Sequence, residues 1–333
     1  MQKSYYLFNP GRLERHDQTL KFTPRDASGQ EGTPRYLPIE GTSDLYVFGA
    51  LDANSALYNF LGKSHIAVHF FDFYEHYSGS FMPKDYLLAG KMQVLQTAHY
   101  LDRKKRLCLA QGFLEGASFN MLKVLRYYQH RERDLDAQLT AIETYRASLP
   151  TTGDVETLMG LEGNIRQTYY SAFDVILRDF VMDGRSKRPP KNEVNALVSF
   201  GNMLCYAACL GQIYHTQLNP TISFLHEPGA RRFSLALDLA EVFKPVLVDR
   251  LIFNMLNKKV LQADDFREDI GGTVLKESGR KTFVRAWEER LQETIQHRTL
   301  RRAVSYKHLL RLECYKLTKH LMNDGAYKPF KLY

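Results

Sequence analysis

Cysteine is scarce in this 333-residue chain, with only Cys108, Cys205, Cys209 and Cys314. They are too few and too scattered for a disulfide framework, which points to a reducing compartment. No run approaches the roughly 18 consecutive apolar residues that would span a bilayer. The start, MQKSYYLFNPGRLERH, has no apolar stretch behind a basic one. A cytoplasmic protein that does not enter membranes is the expectation. The phosphate-cradling GxxxxGK[ST] and GxGxxG patterns are missing, as is the GxSxG turn of serine hydrolases. Nucleotide hydrolysis, dinucleotide binding and serine-nucleophile chemistry therefore lack a motif. Internal repeats and low-complexity tracts are also absent.

What is present is a globular composition, 44% hydrophobic and 25% charged, enough to build a packed core. The formal charge is +8, and its location matters more than its size. Residues 276–333 hold 14 Lys and Arg against 6 Asp and Glu, so residues 1–275 are neutral in sum. Within that tail Leu300, Ala303, Val304, Leu310, Cys314, Leu317 and Leu321 recur at helical spacing. Arg298, Arg301, Arg302, Lys316 and Lys319 fall on the opposite face. A solvated outer face would look similar. The one-sided sum favours a footprint for a polyanion such as DNA.

Two textures meet near residue 84. Residues 1–83 read as short strands: Tyr5–Phe8 stopped by Asn9-Pro10-Gly11, Thr19–Phe22 by Pro24, Asp44–Phe48 by Gly49, and the aromatic run His65–Phe71. A short helix over Ala53–Leu61 is expected, capped by Asp52. Residues 84–333 read as long amphipathic helices, among them Leu87–Leu101, Arg106–Tyr128 and Leu135–Arg146. Asp183–Lys191 (DGRSKRPPK) reads as an exposed loop, and Gly271-Gly272 as another. The fold class is therefore α+β in two domains, a β domain over 1–83 and an all-α domain over 84–333.

Three segments place acidic residues or histidine in apolar surroundings. Glu162 and Arg166 in MGLEGNIRQTYY form an i,i+4 pair if the segment is helical, and a structural ion pair is an equal reading. His226 ends the apolar run ISFLHEP, where an element end can present a ligand. Asp238 and Glu241 in SLALDLAEVFKP are spaced i,i+3 on one helix face. Carboxylates among such leucines require compensation. A divalent cation would supply it, and one imidazole with two or three carboxylates suits Mg²⁺ or Mn²⁺ better than a thiolate-type zinc site. With the basic tail, this favours metal-assisted phosphodiester chemistry on nucleic acid. Cys205 and Cys209, i,i+4 apart, can chelate with His215, but small core residues are the preferred reading.

In this order and at these separations the segments resemble the CRISPR adaptation integrase family, the metal-dependent endonuclease and spacer integrase of CRISPR systems. The resemblance runs along most of the chain: YYLFNPGRLERHDQTL and LYVFGALDANSALYNFLGKSHIAVHFFDFYEHYSGSFMP in the strand domain, then GLEGNIRQTYY, LNPTISFLHEPGARRFSLALDLAEVFKP, ESGRKTFVRAWEERL and the terminal YKPF. It implies metal ligation by Glu162, His226 and Glu241, with Asp238 adjacent as a ligand or as the residue that orients His226. Arg166 would neutralise nearby charge, and Asn195 falls where the family places an asparagine beside the site. The family's usual Gly-Leu-Asp-Pro is Gln217-Leu218-Asn219-Pro220 here, and its Phe-Arg-Pro is Phe243-Lys244-Pro245.

The resemblance further implies a hydrolase-class enzyme acting on DNA phosphodiesters. It also implies a homodimer and a small ferredoxin-like CRISPR-associated partner. The reaction would be transesterification, the 3′-hydroxyl of a captured fragment attacking the edge of a CRISPR repeat in double-stranded DNA. Arg231, Arg232 and the basic residues of 276–333 would grip the backbone, making affinity salt-sensitive. A general metal-dependent nuclease outside CRISPR and a non-catalytic basic DNA-binding scaffold are the competing readings.

Overall fold

The computed structural model describes residues 3–26, 28–72, 76–83, 89–229, 233–269, 271–297 and 299–333. The chain forms two compact units, Met1–Leu87 and Leu88–Tyr333, the first strand-rich and the second helical.

The first unit contains β1 (Lys3–Leu7), β2 (Gly11–His16), β3 (Thr19–Pro24), β4 (Arg35–Pro38), β5 (Thr42–Val47), β6 (Leu51–Asp52), α1 (Ser55–Lys63), β7 (Ala67–Phe71) and β8 (Tyr77–Phe81). They make two four-stranded sheets, ordered β1-β5-β7-β8 and β4-β3-β2-β6. The β2–β3 hairpin owes its register to alternation. Leu13 pairs with Phe22 on the buried face, and Glu14 sits opposite Lys21 on the other. Leu13, Leu20 and Phe22 join Leu45, Leu61 and Val68 in one core that both sheets share. Helix α1 begins two residues later than its sequence suggests. Asn54, not Asp52, is the cap, and its Oδ1 accepts from the Leu57 amide at 3.0 Å. Asp52 is instead committed to the end of β6.

The second unit contains α2 (Gly90–Leu101), α3 (Arg103–Gln129), α4 (Asp136–Ser148), α5 (Val155–Ser171), α6 (Phe173–Ile176), α7 (Glu193–Tyr214), α8 (Ser234–Lys244), α9 (Arg250–Asn257), β9 (Phe266–Asp269), β10 (Gly272–Leu275), α10 (Glu277–Gln292), β11 (Thr294–His297), β12 (Arg302–Ser305) and α11 (Tyr306–Leu321). Helices α3 and α7 both pack on α8, and α11 packs on α7. Helix α7 is long and apolar enough to cross a membrane, with mean hydropathy 1.4, but 78% of that window is buried inside the fold. It is apolar because it is enclosed by other helices. Cys205 and Cys209 lie buried on it, and burial raises the Cys209 thiol well above its usual range.

The basic tail is not one helix from Leu300 onward. Strands β11 and β12 pair antiparallel, Thr294 opposite Ser305 and His297 opposite Arg302, and α11 starts only at Tyr306, where Ser305 caps the His308 amide. Alternation over Thr294-Ile295-Gln296-His297 and the β-branched Val304 overrides the apparent helical stripe. Leu300 and Ala303 are consequently exposed, not buried.

Candidate functional site

Helix α5 starts at the Asp154 cap, whose carboxylate accepts from Thr157 N at 2.7 Å. Its helical period puts Glu162 and Arg166 one turn apart on the same face, and Arg166 Nε donates to Glu162 Oε1 at 2.6 Å. Nη2 of the same guanidinium donates to Glu241 Oε2 on α8. Glu241 Oε1 in turn accepts from Lys244 Nζ at 2.5 Å. Glu162, Arg166, Glu241 and Lys244 are thus one chain of ion pairs, with side-chain exposures from 7% to 16%. Burial pushes the Glu162 carboxyl up, but Arg166 and Lys244 outweigh it and hold the group below the usual carboxylate range. For Lys244, burial and the neighbouring Arg166 push the ammonium down.

Asp238 has a different role from Glu241, although the two are one turn apart. Its side chain is fully buried, and both oxygens are occupied. Oδ2 accepts from the amides of Phe224 at 2.7 Å and Leu225 at 3.0 Å, while Oδ1 accepts from the His226 amide at 2.9 Å. Oδ1 also meets His226 Nδ1 at 2.8 Å, so the ring donates there and turns Nε2 away from Asp238. The irregular segment that carries His226 is therefore shaped by one carboxylate. Arg106 supports it from α3, donating to the Phe224 carbonyl at 3.1 Å and to Glu227 at 2.6 Å.

Helix α8 cannot simply continue past Lys244, because Pro245 has no N–H, and the chain passes into a π-helical turn over Pro245–Asp249. The buried Asn120 of α3 donates to the Val242 carbonyl at 2.8 Å and to the Phe330 carbonyl at 3.1 Å. Its Oδ1 accepts from the Leu332 amide at 2.8 Å. The terminal segment thus straps α8. Phe330 stacks on Phe243 at 5.1 Å, and the buried Glu313 accepts from Tyr327 and from the Phe330 amide. Gly116 admits the strap, since a Cβ there would come within 2.6 Å of Pro329 Cβ.

The donor chemistry fits a hard divalent ion: one imidazole nitrogen fixed through its other nitrogen, and two carboxylates on neighbouring helices. Among the described residues, however, no three His, Cys, Asp or Glu side chains converge to hold a metal ion. Arg166 and Lys244 occupy the carboxylates instead. An ion would have to take Glu162 and Glu241 from these cations, while Asp238 is already saturated by backbone amides and His226.

Asn195 does not bond to Glu162, His226 or Glu241. It lies buried under the Asp183–Lys191 loop, donating to the carbonyls of Met182 and Gly184 and accepting from Arg185 and the Ser186 amide, each at 2.9 Å. Of the basic residues expected to meet DNA, Arg231, Arg232 and Arg298 lie outside the described residues. Arg301 and Arg302 are exposed at the end of the β11–β12 hairpin, and Lys319 is exposed on α11. Lys316 is not free on that face, because it bonds to Glu313 at 2.6 Å and to the Lys328 carbonyl. Sequence reasoning gave Lys244 no bonding role, although its i,i+3 spacing from Glu241 was available, and it did not find the bond from Arg185 to Asn195.

The family model for CRISPR associated protein Cas1 matches residues 5–289. The chain is 44% identical over 332 residues to the CRISPR-associated endonuclease Cas1 2 of Thermodesulfovibrio yellowstonii, covering 99% of each. It is 43% identical over 334 residues to the CRISPR-associated endonuclease Cas1 of Fusobacterium nucleatum, covering 100% of this chain and 97% of that one. The structure of a CAS1 protein from Thermotoga maritima superposes with a TM-score of 0.86 at 36% identity, covering 99% of this chain and all of that one. A casposase bound to its integration product shares the fold, with a TM-score of 0.85 at 18% identity over 99% of this chain and 93% of that one. By sequence and by fold, the chain belongs to the Cas1 family of CRISPR-associated proteins.

Proposed function

We propose that this chain is a divalent-metal-dependent DNA endonuclease and spacer integrase of a CRISPR system. Family membership over the whole chain, with curated relatives named as endonucleases, supports the reaction class. The observation that carries the reading is the His226–Asp238 bond at 2.8 Å beside the two carboxylates held by Arg166 and Lys244. Glu162, His226 and Glu241 would hold Mg²⁺ or Mn²⁺, which would supply Lewis-acid polarisation of a phosphoryl oxygen. Asp238 fixes the imidazole, so that His226 presents Nε2 in one orientation. Arg166 and Lys244 keep two partly buried acidic groups compensated until the ion and DNA arrive.

The substrate is double-stranded DNA, both fragment ends and a CRISPR repeat, and the step is attack of a 3′-hydroxyl on a phosphodiester. The protein acts in the cytoplasm as a homodimer assembled through residues 1–83, with a small ferredoxin-like CRISPR-associated partner.

Strand transfer tests this reading. Purified protein and partner are given a fragment with free 3′-hydroxyls and a plasmid carrying the repeat, with and without Mn²⁺. Wild type should transfer only with the ion, and His226→Ala and Glu241→Gln should fall by at least a hundredfold. Equal transfer by wild type and His226→Ala overturns the site assignment.

A further inference from the structure

The face that α2 buries carries a carboxamide at its centre. Met92, Gln96 and His99 recur at i, i+4 and i+7 and are all buried, Gln96 completely. A polar side chain in such a place costs free energy unless it is hydrogen-bonded. All three of its bonds go to one segment. Nε2 donates to the Asn219 carbonyl at 3.1 Å and to the Ile222 carbonyl at 3.2 Å, while Oε1 accepts from the Asn219 amide at 2.7 Å. The amide group can face only this way, because reversing it would set Nε2 against an N–H and Oε1 against two carbonyls.

That segment, residues 219–226, ends on His226 and belongs to no helix or strand. Its backbone groups must therefore find partners outside regular structure. Helix α8 supplies several: Leu235 N donates to the Pro220 carbonyl at 3.0 Å, Ser234 Oγ donates to the Thr221 carbonyl at 2.9 Å, and Asp238 accepts from the amides of residues 224–226. Bonds to α8 alone would leave the segment free to pivot on the edge of that helix. The Gln96 bonds tie it to a second helix, and so fix its angle. Ser223 Oγ donates to the His226 carbonyl at 2.6 Å, closing a turn that begins one residue after Ile222. A displacement at Ile222 is thus passed to His226.

We propose that Gln96 is a positioning residue for the reaction: it seats residues 219–226 on α2 and thereby sets where the His226 imidazole stands relative to Glu162 and Glu241. This rests on the reading of His226 as a metal ligand. Asp238 fixes the tautomer and rotation of the ring, and Gln96 fixes the place of the backbone that carries it. Misplacing a reacting group by about 1 Å can cost about a hundredfold in rate, so an amide that never meets DNA or metal can still govern turnover.

The test uses the full chain carrying isotope-labelled histidine, without metal, in long-range proton–nitrogen NMR. Loss of signal in His226→Ala identifies the His226 ring, which in wild type should be a single tautomer protonated at Nδ1. Gln96→Met keeps the length of the side chain but loses all three bonds, and should move or split the His226 signals while those of His16 and His65 in the first unit stay in place. At a temperature where both proteins remain folded by circular dichroism, it should also lower the saturating rate of Mn²⁺-dependent strand transfer about tenfold or more and leave KM for DNA within about twofold. Gln96→Glu, which keeps the acceptor for the Asn219 amide and loses both donors, should fall between the two, and it decides alone if Gln96→Met does not fold. Unmoved His226 signals overturn the proposal, and so do moved signals with an unchanged rate. Absence of Mn²⁺-dependent transfer in wild type overturns the functional reading instead, and the His226 signals then still show whether Gln96 seats the segment.

Discussion

Asp238 Oδ1 lies 2.8 Å from His226 Nδ1, and the same carboxylate accepts three consecutive backbone amides from Phe224 to His226. Its role is to shape the loop as much as to orient the ring. Asp238→Asn presents an N–H to a nest of donors and should cost about 3 kcal/mol of stability. His226→Ala, at a position 19% exposed, should cost under about 1 kcal/mol. Urea titration of both variants checks this, and equal destabilisation would mean the amides find other acceptors.

The Arg166 bridge makes a prediction about metal removal. Because Glu162 and Glu241 are compensated by Arg166 and Lys244, EDTA should leave the melting temperature of wild type within about 2 °C of its value in buffer. Arg166→Met strips one cation from both carboxylates and should destabilise the protein by about 3 kcal/mol without metal. It should also recover more of that loss on adding Mn²⁺ than wild type gains, because the ion no longer competes with a guanidinium. Scanning calorimetry with and without Mn²⁺ measures both, and a smaller Mn²⁺ response in Arg166→Met would refute the competition.

The parts of this site that were legible from sequence are those that helical spacing dictates. Glu162–Arg166 at i,i+4 and Asp238 with Glu241 at i,i+3 follow from residues within one turn of each other, and both sets share a helix face as expected. What spacing cannot express is which distant group each carboxylate meets. Asp238 is saturated by a loop twelve to fourteen residues earlier, and Glu241 is bridged to a helix 75 residues away. The same limit applies to the fold. Strand β2 carries Leu13 as its one large buried side chain among charged neighbours, so no apolar run marks it. Likewise, the β11–β12 hairpin mimics a helical stripe because Val304 precedes a genuine one that starts at Tyr306.

Asp249 carries a pH dependence of defined sign. Burial raises its carboxyl to about 7, with Arg166, Lys244 and Arg185 acting against the rise and Tyr169 beside it. The folded group holds its proton where the unfolded one, with its ordinary value near 3.8, has lost it. Its contribution to stability is therefore present below about pH 4 and is lost as pH rises through about 7. Asp249→Asn should be more stable than wild type at pH 8, by up to about 4 kcal/mol, with little difference at pH 4. Melting curves at the two pH values decide it, and a variant less stable at pH 8 would mean the charged carboxylate is used by the neighbouring arginines.

The C-terminal strap links the last residues of the chain to the helix that bears Glu241. Phe330 is 7% exposed and stacks on Phe243, which lies between Glu241 and Lys244 in α8. Asn120 binds the strap and the Val242 carbonyl at once. Phe330→Ala should cost about 3 kcal/mol from lost burial and the cavity left behind. It should also lower strand transfer more than Phe330→Leu, which refills most of that volume. The informative comparison is at a temperature where all three proteins remain folded by circular dichroism. Transfer rates that rank wild type, Phe330→Leu, Phe330→Ala there mean that the strap positions Glu241, whereas equal rates mean that it contributes stability alone.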